Sequence, residues 1–385
     1  MKTSRILRLA LTTVCGLAAM AALPARADTA TPPTYSVTDM GPLIFGNVTN
    51  AVMGMSNTGL VLVNDEGRAR LYWTNGSGWI RDLALDSRLP TACGFTAPLE
   101  VDGGGVSHNG KVVVTASQIE DLGFGSHCIA VLSHPGQSAG TWRFEQTLGF
   151  KDAATGVDDA GQVIGELDDG LVGFGPGCNF NQFPVPGFIS ADAINDSGQI
   201  AGTSDLGAEL CTAGVWQVLP DFSGGDNLDA SAINNKGEVV GDSIVSGVFH
   251  GFLFRAGNTV DLGANIFPNC INIHGQVVGG MSSTATTTGS TSFLYQDGAV
   301  YDLIRLISPN DLYRRVFAIE LSGIACINDH GVIVSTGTFG GDTQSHLFLL
   351  TPDQARKRLA PAGMARLRRW PLENSVVAAV AVRTP

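Results

Sequence analysis

A nine-position pattern recurs seven times along the chain: a small residue, an apolar residue, Asn, Asp or Ser, two free positions, Gly, one free position, then Val or Ile and a second aliphatic. The copies run Gly54 to Leu62, Gly105 to Val113, Gly156 to Ile164, Ala193 to Ala201, Ala232 to Val240, Cys270 to Val278 and Cys326 to Val334. Recurrence at this length makes the chain an array of one supersecondary unit, a stronger constraint on architecture than any single motif. In Ala193-Ile194-Asn195-Asp196-Ser197-Gly198-Gln199-Ile200, the Asn side chain suits a bond to the backbone two residues on, and the Gly suits the positive φ that ends a tight turn. Each copy therefore predicts a hairpin.

A third strand follows each hairpin in most units, as in Leu71-Tyr72-Trp73 and Gly251-Phe252-Leu253-Phe254, and a fourth follows a short Gly-bearing turn, as in Trp79 to Leu83 and Val300 to Leu303. No window between residues 35 and 350 sustains a helical period. Four antiparallel strands per repeat of about 40 residues predict an all-β fold, a seven-bladed β-propeller. The turn glycines lie 51, 51, 37, 39, 38 and 56 residues apart, so the long gaps are insertions. The last repeat supplies only three strands, while Tyr35 to Gly41 stands alone before the first hairpin and resembles a fourth strand. Pairing it with the last blade would close the ring and remove an open edge. An open solenoid or two packed sandwiches are the alternatives.

The expected organisation is a signal peptide over 1–27, a linker over 28–34, the propeller over 35–352 and a basic tail over 353–385. Lys2, Arg5 and Arg8 precede an apolar stretch from Leu9 to Leu23, and Ala25-Arg26-Ala27 forms an A-x-A cleavage signal. Export to the periplasm or exterior is expected, with cleavage near Ala27, and the apolar run is too short to span a bilayer. Residues 28–350 carry 33 acidic and 12 basic side chains, a net charge of −21, against a net +5 from residue 351 onward. An acidic body argues against nucleic acid and anionic lipid as partners.

Six cysteines follow the signal. Cys270 and Cys326 occupy the small position at the start of the repeat, which predicts buried free thiols acting as small apolar residues. Cys93, Cys128, Cys178 and Cys211 remain for disulfides; Cys93 with Cys128 joins two loops expected on one face, and Cys178 with Cys211 is the second candidate.

The run Ala-Ile-Asn-x-x-Gly with Val239-Val240-Gly241, then His250-Gly251-Phe252-Leu253-Phe254 and Val260-Asp261-Leu262-Gly263, resembles the bacterial extracellular HAF repeat family, named for a His-Ala-Phe tripeptide. Asn234 to Gly263 is the nearest copy; the first three repeats drift, with Ser56, Ser107 and Asp158 at the Asn position and no such tripeptide. The resemblance implies an exported repeat protein and carries over no catalytic residues.

Three insertions, Ala84 to Glu100, Ser117 to Gly125 and Arg305 to Gly323, map by strand counting to the face bearing the loops between strands two and three and those linking successive units. They hold the candidate binding residues Asp86, Arg88, Glu120, Asp121, Asp311, Tyr313, Arg314, Arg315 and Glu320. That mixture suits a protein or glycan ligand, so a monomeric binding module is the expectation. A polysaccharide- or peptide-active hydrolase or lyase using carboxylates of the same face is the alternative, and a passive envelope scaffold the third. No nucleophile elbow, zinc-protease helix or phosphate loop is present, so no catalytic residue, cofactor or metal site is assigned. His274 and His330, at equivalent turn positions, lack a third ligand by spacing, and acidic runs such as Asp221 to Asp229 match no calcium loop.

Overall fold

The computed structural model describes residues 32–43, 52–64, 68–74, 80–86, 88–96, 99–118, 127–133, 143–148, 153–167, 170–173, 188–222, 225–282 and 290–353. They form antiparallel sheets in a β-propeller arrangement. Sheet 1 holds β2 (Val52–Met55), β3 (Leu60–Asn64), β4 (Ala69–Trp73) and β5 (Ile80–Asp82). Sheet 2 holds β6 (Leu99–Val106), β7 (Val112–Gln118), β8 (His127–Ser133) and β9 (Arg143–Leu148), and sheet 3 holds β10 (Ala154–Val157), β11 (Val163–Leu167) and β12 (Gly170–Gly173). Sheet 4 holds β13 (Phe188–Ile194), β14 (Ile200–Ser204), β15 (Gly207–Thr212) and β16 (Val215–Val218); sheet 5 holds β17 (Gly225–Ile233), β18 (Val239–Val245), β19 (Val248–Arg255) and β20 (Asn258–Ala264). Sheet 6 holds β21 (Ile266–Ile271), β22 (Val277–Ser282), β23 (Ser290–Gln296) and β24 (Ala299–Asp302). In sheet 7, β25 (Glu320–Ile327), β26 (Ile333–Thr338) and β27 (Ser345–Pro352) are joined by β1 (Tyr35–Pro42) as the outer strand.

The isolated N-terminal strand thus completes the last sheet, paired from Tyr35 opposite Pro352 to Pro42 opposite His346 with a register shift between Asp39 and Pro42. The expectation of four strands in every unit is met in six sheets; sheet 3 has three among the described residues. The middle strands β3, β4 and β14 are buried along nearly all of their length, whereas the outer strand β16 is largely exposed. This is why the middle strands carry continuous apolar runs rather than alternation. Short helices also form in the insertions: α1 (Arg88–Cys93), α2 (Leu303–Leu306) and α3 (Leu312–Arg315). At four to six residues they are too short to leave a helical period in the sequence.

The hydrophobic core is divided into clusters that each join one sheet to the next. Leu60, Leu62 and Leu71 of sheet 1 pack with Val101, Val112 and Ala130 of sheet 2. Val240 and Leu253 of sheet 5 pack with Ile271, Val277 and Phe293 of sheet 6. Val61, Val63 and Tyr72 of sheet 1 also pack with Val334, Leu347 and Leu349 of sheet 7. A fully buried Phe such as Phe252 or Phe293 contributes about 2–3 kcal/mol in this setting.

All seven turn glycines have positive φ, between 71° and 92°. The turn's first residue is buried and accepts hydrogen bonds from the turn's own backbone: Asn195 Oδ1 takes the N–H of Ser197 and of Gln199, both at 3.0 Å. Its Nδ2 then donates 2.9 Å to the carbonyl of Asn234, the equivalent residue of the next sheet. Asn234 repeats this to Asn272, Asn272 to Asn328, and Asn328 to Ser56 of sheet 1.

Candidate functional site

The small residue that opens each repeat does the same work in every sheet. Gly54, Gly105, Gly156, Ala193, Ala232, Cys270 and Cys326 all line one central cavity of about 160 Å³. A Cβ added to Gly105 would lie 3.2 Å from the Cα of Gly156, so larger side chains are excluded where neighbouring first strands approach. The expectation for Cys270 and Cys326 is corrected here: they form a disulfide with a Cα–Cα distance of 5.1 Å. The closeness that demands small residues places the two backbones within disulfide range. Cys93 and Cys128 are also bonded, at 5.7 Å between Cα atoms. This bridge ties α1, in the connection from sheet 1 to sheet 2, to the start of β8, and puts both loop classes on one face. Cys211 is disulfide-bonded; Cys178 lies outside the described residues.

Each first strand enters from that insertion-bearing side, where the second strand ends, and a hydrogen bond recurs between neighbouring sheets. Asn64 Oδ1 accepts the N–H of Gly103 at 2.6 Å, Thr115 Oγ1 that of Ala154 at 2.9 Å, and Thr203 Oγ1 that of Ala230 at 3.1 Å. In sheet 5 the acceptor position is held by Asp242, and the position in the next repeat that corresponds to the N–H donors is held by Pro268, which has no N–H. Asp242 also lies directly opposite Asp229 on β17. Burial, and then the Asp229 carboxylate beside it, pushes Asp242 up to about 6. Burial raises Asp229 too. Asp102 of sheet 2 holds the position equivalent to Asp229, and is raised by burial and then by Glu100. Sequence reasoning passed over Asp242; the signal was an Asp where four other repeats carry Asn64, Thr115, Thr203 and Thr336 and two carry Glu166 and Gly280, with a Pro one repeat later.

Asp86 is buried and bound by the Arg88 guanidinium, with Nη2 to Oδ2 at 2.8 Å and Nε to Oδ1 at 3.0 Å. Asp311 caps α3 by accepting the N–H of Tyr313, and also accepts that of Val37, which ties the insertion to β1. The Tyr313 ring packs among Phe317, Phe339 and Phe348, and burial raises its phenol. Arg314 donates to the carbonyls of Ile307 and Arg305. Arg315 and Glu320 are exposed, and Glu120 and Asp121 lie outside the described residues. The structure therefore does not gather the predicted set at one point: Asp311, Tyr313 and Arg314 join in one buttressed insertion, and the Asp86–Arg88 pair sits in another.

Exposed apolar side chains also lie on this side of the sheets. Leu312, Val316 and Phe317 are 53%, 57% and 43% exposed, and Leu206, Ile244, Val248 and Phe249 stand at the tips of the β14–β15 and β18–β19 hairpins. With Leu85, eight exposed large apolar side chains belong to insertion-side loops, while the other three found among the described residues, Val215, Val218 and Val260, are on fourth strands.

No family model matches the chain, and no curated protein matches it. Among solved structures it is similar to a TolB protein from Agrobacterium tumefaciens, with 14% identity, a TM-score of 0.38, and 83% of this chain and 99% of that chain covered. It is similar to a chain of the mitotic checkpoint complex, at 13% identity and TM-score 0.40, covering 91% and 99%. The third is Trypanosoma rangeli sialidase bound to sialic acid, at 9% identity and TM-score 0.37, covering 85% of this chain and 60% of that one. Likeness at this level concerns fold alone. No helix among the described residues is long and apolar enough to cross a membrane.

Proposed function

We propose that this chain is an exported seven-bladed β-propeller of the HAF-like kind, closed by β1 on the last blade, and that it is a binding module whose insertion-bearing face docks a protein partner. The observation that carries this reading is the concentration of exposed apolar side chains on that face, above all Leu312 on α3 and Val316 and Phe317 just after it, in an insertion buttressed by the Tyr313 ring. Patches of this kind, rimmed by polar groups, mark protein contacts rather than ordinary surface. With a net charge of −21 over residues 28–350, the partner chemistry that fits is an apolar segment flanked by Lys or Arg.

The test is fluorescence titration of the full chain with a peptide array that varies apolar and basic content. Saturable binding of apolar-basic peptides, weakened at least tenfold by L312A/V316A/F317A with unchanged melting temperature, is the expected result. Equal binding by the triple variant removes the site from this face.

A second reading, glycoside or peptide hydrolysis, has one specific observation behind it: the opposed Asp229 and Asp242 with raised protonation. It requires turnover of a glycan or peptide substrate that D242N abolishes. Without catalysis, D242N instead raises the melting temperature above pH 6 and leaves it unchanged near pH 3.5. The sign follows because a raised native pKa favours the protonated fold, so stability falls as pH rises from the unfolded value toward about 6.

A further inference from the structure

The second turn position in each repeat lies at the end of the sheets opposite the insertions. It is occupied in order by Asn57, His108, Asp159, Asp196, Asn235, Ile273 and Asp329. The His108 side chain reaches past the adjacent sheet 3. Its Nδ1 reaches Asp196 Oδ2 of sheet 4 at 2.9 Å, so its side chain spans the place of sheet 3, whose own Asp159 stands between them in the ring. A ring nitrogen of His108 and one carboxylate oxygen each from Asp159 and Asp196 lie within 4.8 Å of one another.

We propose that His108, Asp159 and Asp196 form a binding site for one divalent ion of the zinc class, with water completing its coordination. Donor chemistry selects the class: an imidazole nitrogen with carboxylates suits zinc and its neighbours, whereas calcium asks for six to eight oxygens. Ligand bonds of about 2.0–2.2 Å place donor atoms roughly 3–4 Å apart on one ion, so only small side-chain rotations are needed. The carboxylates are already oriented from outside the triad. Asp159 Oδ1 accepts the N–H of Asn109 at 2.8 Å, and Asp196 Oδ2 accepts from Asn235 Nδ2 at 2.6 Å. Such outer partners position metal ligands. His108 and Asp329 also line the central cavity, so the imidazole of the site borders it. Asp329, bound by Asn57 Nδ2 and the N–H of Ile273, adds a third nearby carboxylate. Spacing along the chain hides this site, since its ligands come from three separate repeats and meet only when three sheets assemble.

The experiment is calorimetric titration of the untagged full chain with zinc chloride, with cobalt absorption spectra as a second readout. One equivalent is expected to bind, with nitrogen-bearing coordination in the cobalt spectrum and a higher melting temperature than in EDTA. H108A and D196N should each weaken zinc at least tenfold, and the conservative H108N separates loss of the ligand from loss of fold. Absence of saturable binding by the wild-type chain, or equal affinity in H108A, overturns the proposal and leaves the triad as an ion pair only.

Discussion

Sheets 4–7 and sheets 1–3 use the same turn with different chemistry in its first position. In the former, Asn195, Asn234, Asn272 and Asn328 each serve two roles, accepting two backbone N–H groups locally and donating to the next sheet. In the latter, Ser56, Ser107 and Asp158 keep only the local role, with Leu60, Lys111 and Gln162 donating at 2.9, 3.0 and 2.7 Å. An ionised carboxylate has no proton to send across. Burial raises Asp158 above the ordinary carboxylate range despite these backbone donors. The drift in the first three repeats is thus a loss of one inter-sheet hydrogen bond per turn, while the turn itself survives. The inter-sheet bond at the second turn position is kept in both halves: Asn57 N donates to the His108 carbonyl, Asp159 N to Asp196 and Asp196 N to Asn235.

The contrast can be broken most severely at the staple of the Asn-bearing half. C270A/C326A, which restores side chains no larger than Ala193 and Ala232, is expected to cost about 2–5 kcal/mol in denaturant unfolding. Unchanged stability would mean the central approach of sheets 6 and 7 is held without it. Next comes N272A, which strands the N–H groups of His274 and Gln276 and removes the bond to Asn328; a loss of about 2–3 kcal/mol is expected. N272D keeps the acceptor and should lose only about 1 kcal/mol, reproducing the state of sheet 3. The smallest effect runs the other way. D158N supplies the missing donor, opposite the Asn195 carbonyl, and should stabilise by about 0.5–1 kcal/mol at neutral pH. Because the native pKa of Asp158 is raised, its ionisation opposes folding as pH climbs, so the gain from D158N should shrink toward pH 3.5. Equal stability of D158N and wild type at pH 7 would show that the two halves are not distinguished by this bond.

Much of the architecture was legible. The Gly at the end of each turn, the Asn or Asp before it and the apolar runs on either side mark strands by local chemistry, and Tyr35 to Gly41 was recognisable as a missing outer strand. The Cys93–Cys128 bond followed from counting strands to one face. The candidate site was less legible. Asp311 and Arg314 looked like free polar groups but are spent on a helix cap and on carbonyls, since a loop that folds on itself needs partners for its own backbone. Cys270 and Cys326 looked like space-fillers because their small size was visible and their separation was not.

By itself, the sequence determined the repeat, the turn geometry and the strand order, because these depend on residues within about ten positions of each other. Tertiary structure alone decided which distant residues became partners: Asn64 with Gly103, Cys270 with Cys326, and His108 with Asp196. Those encounters depend on how sheets pack around a common cavity, where separation in space has no fixed relation to separation along the chain.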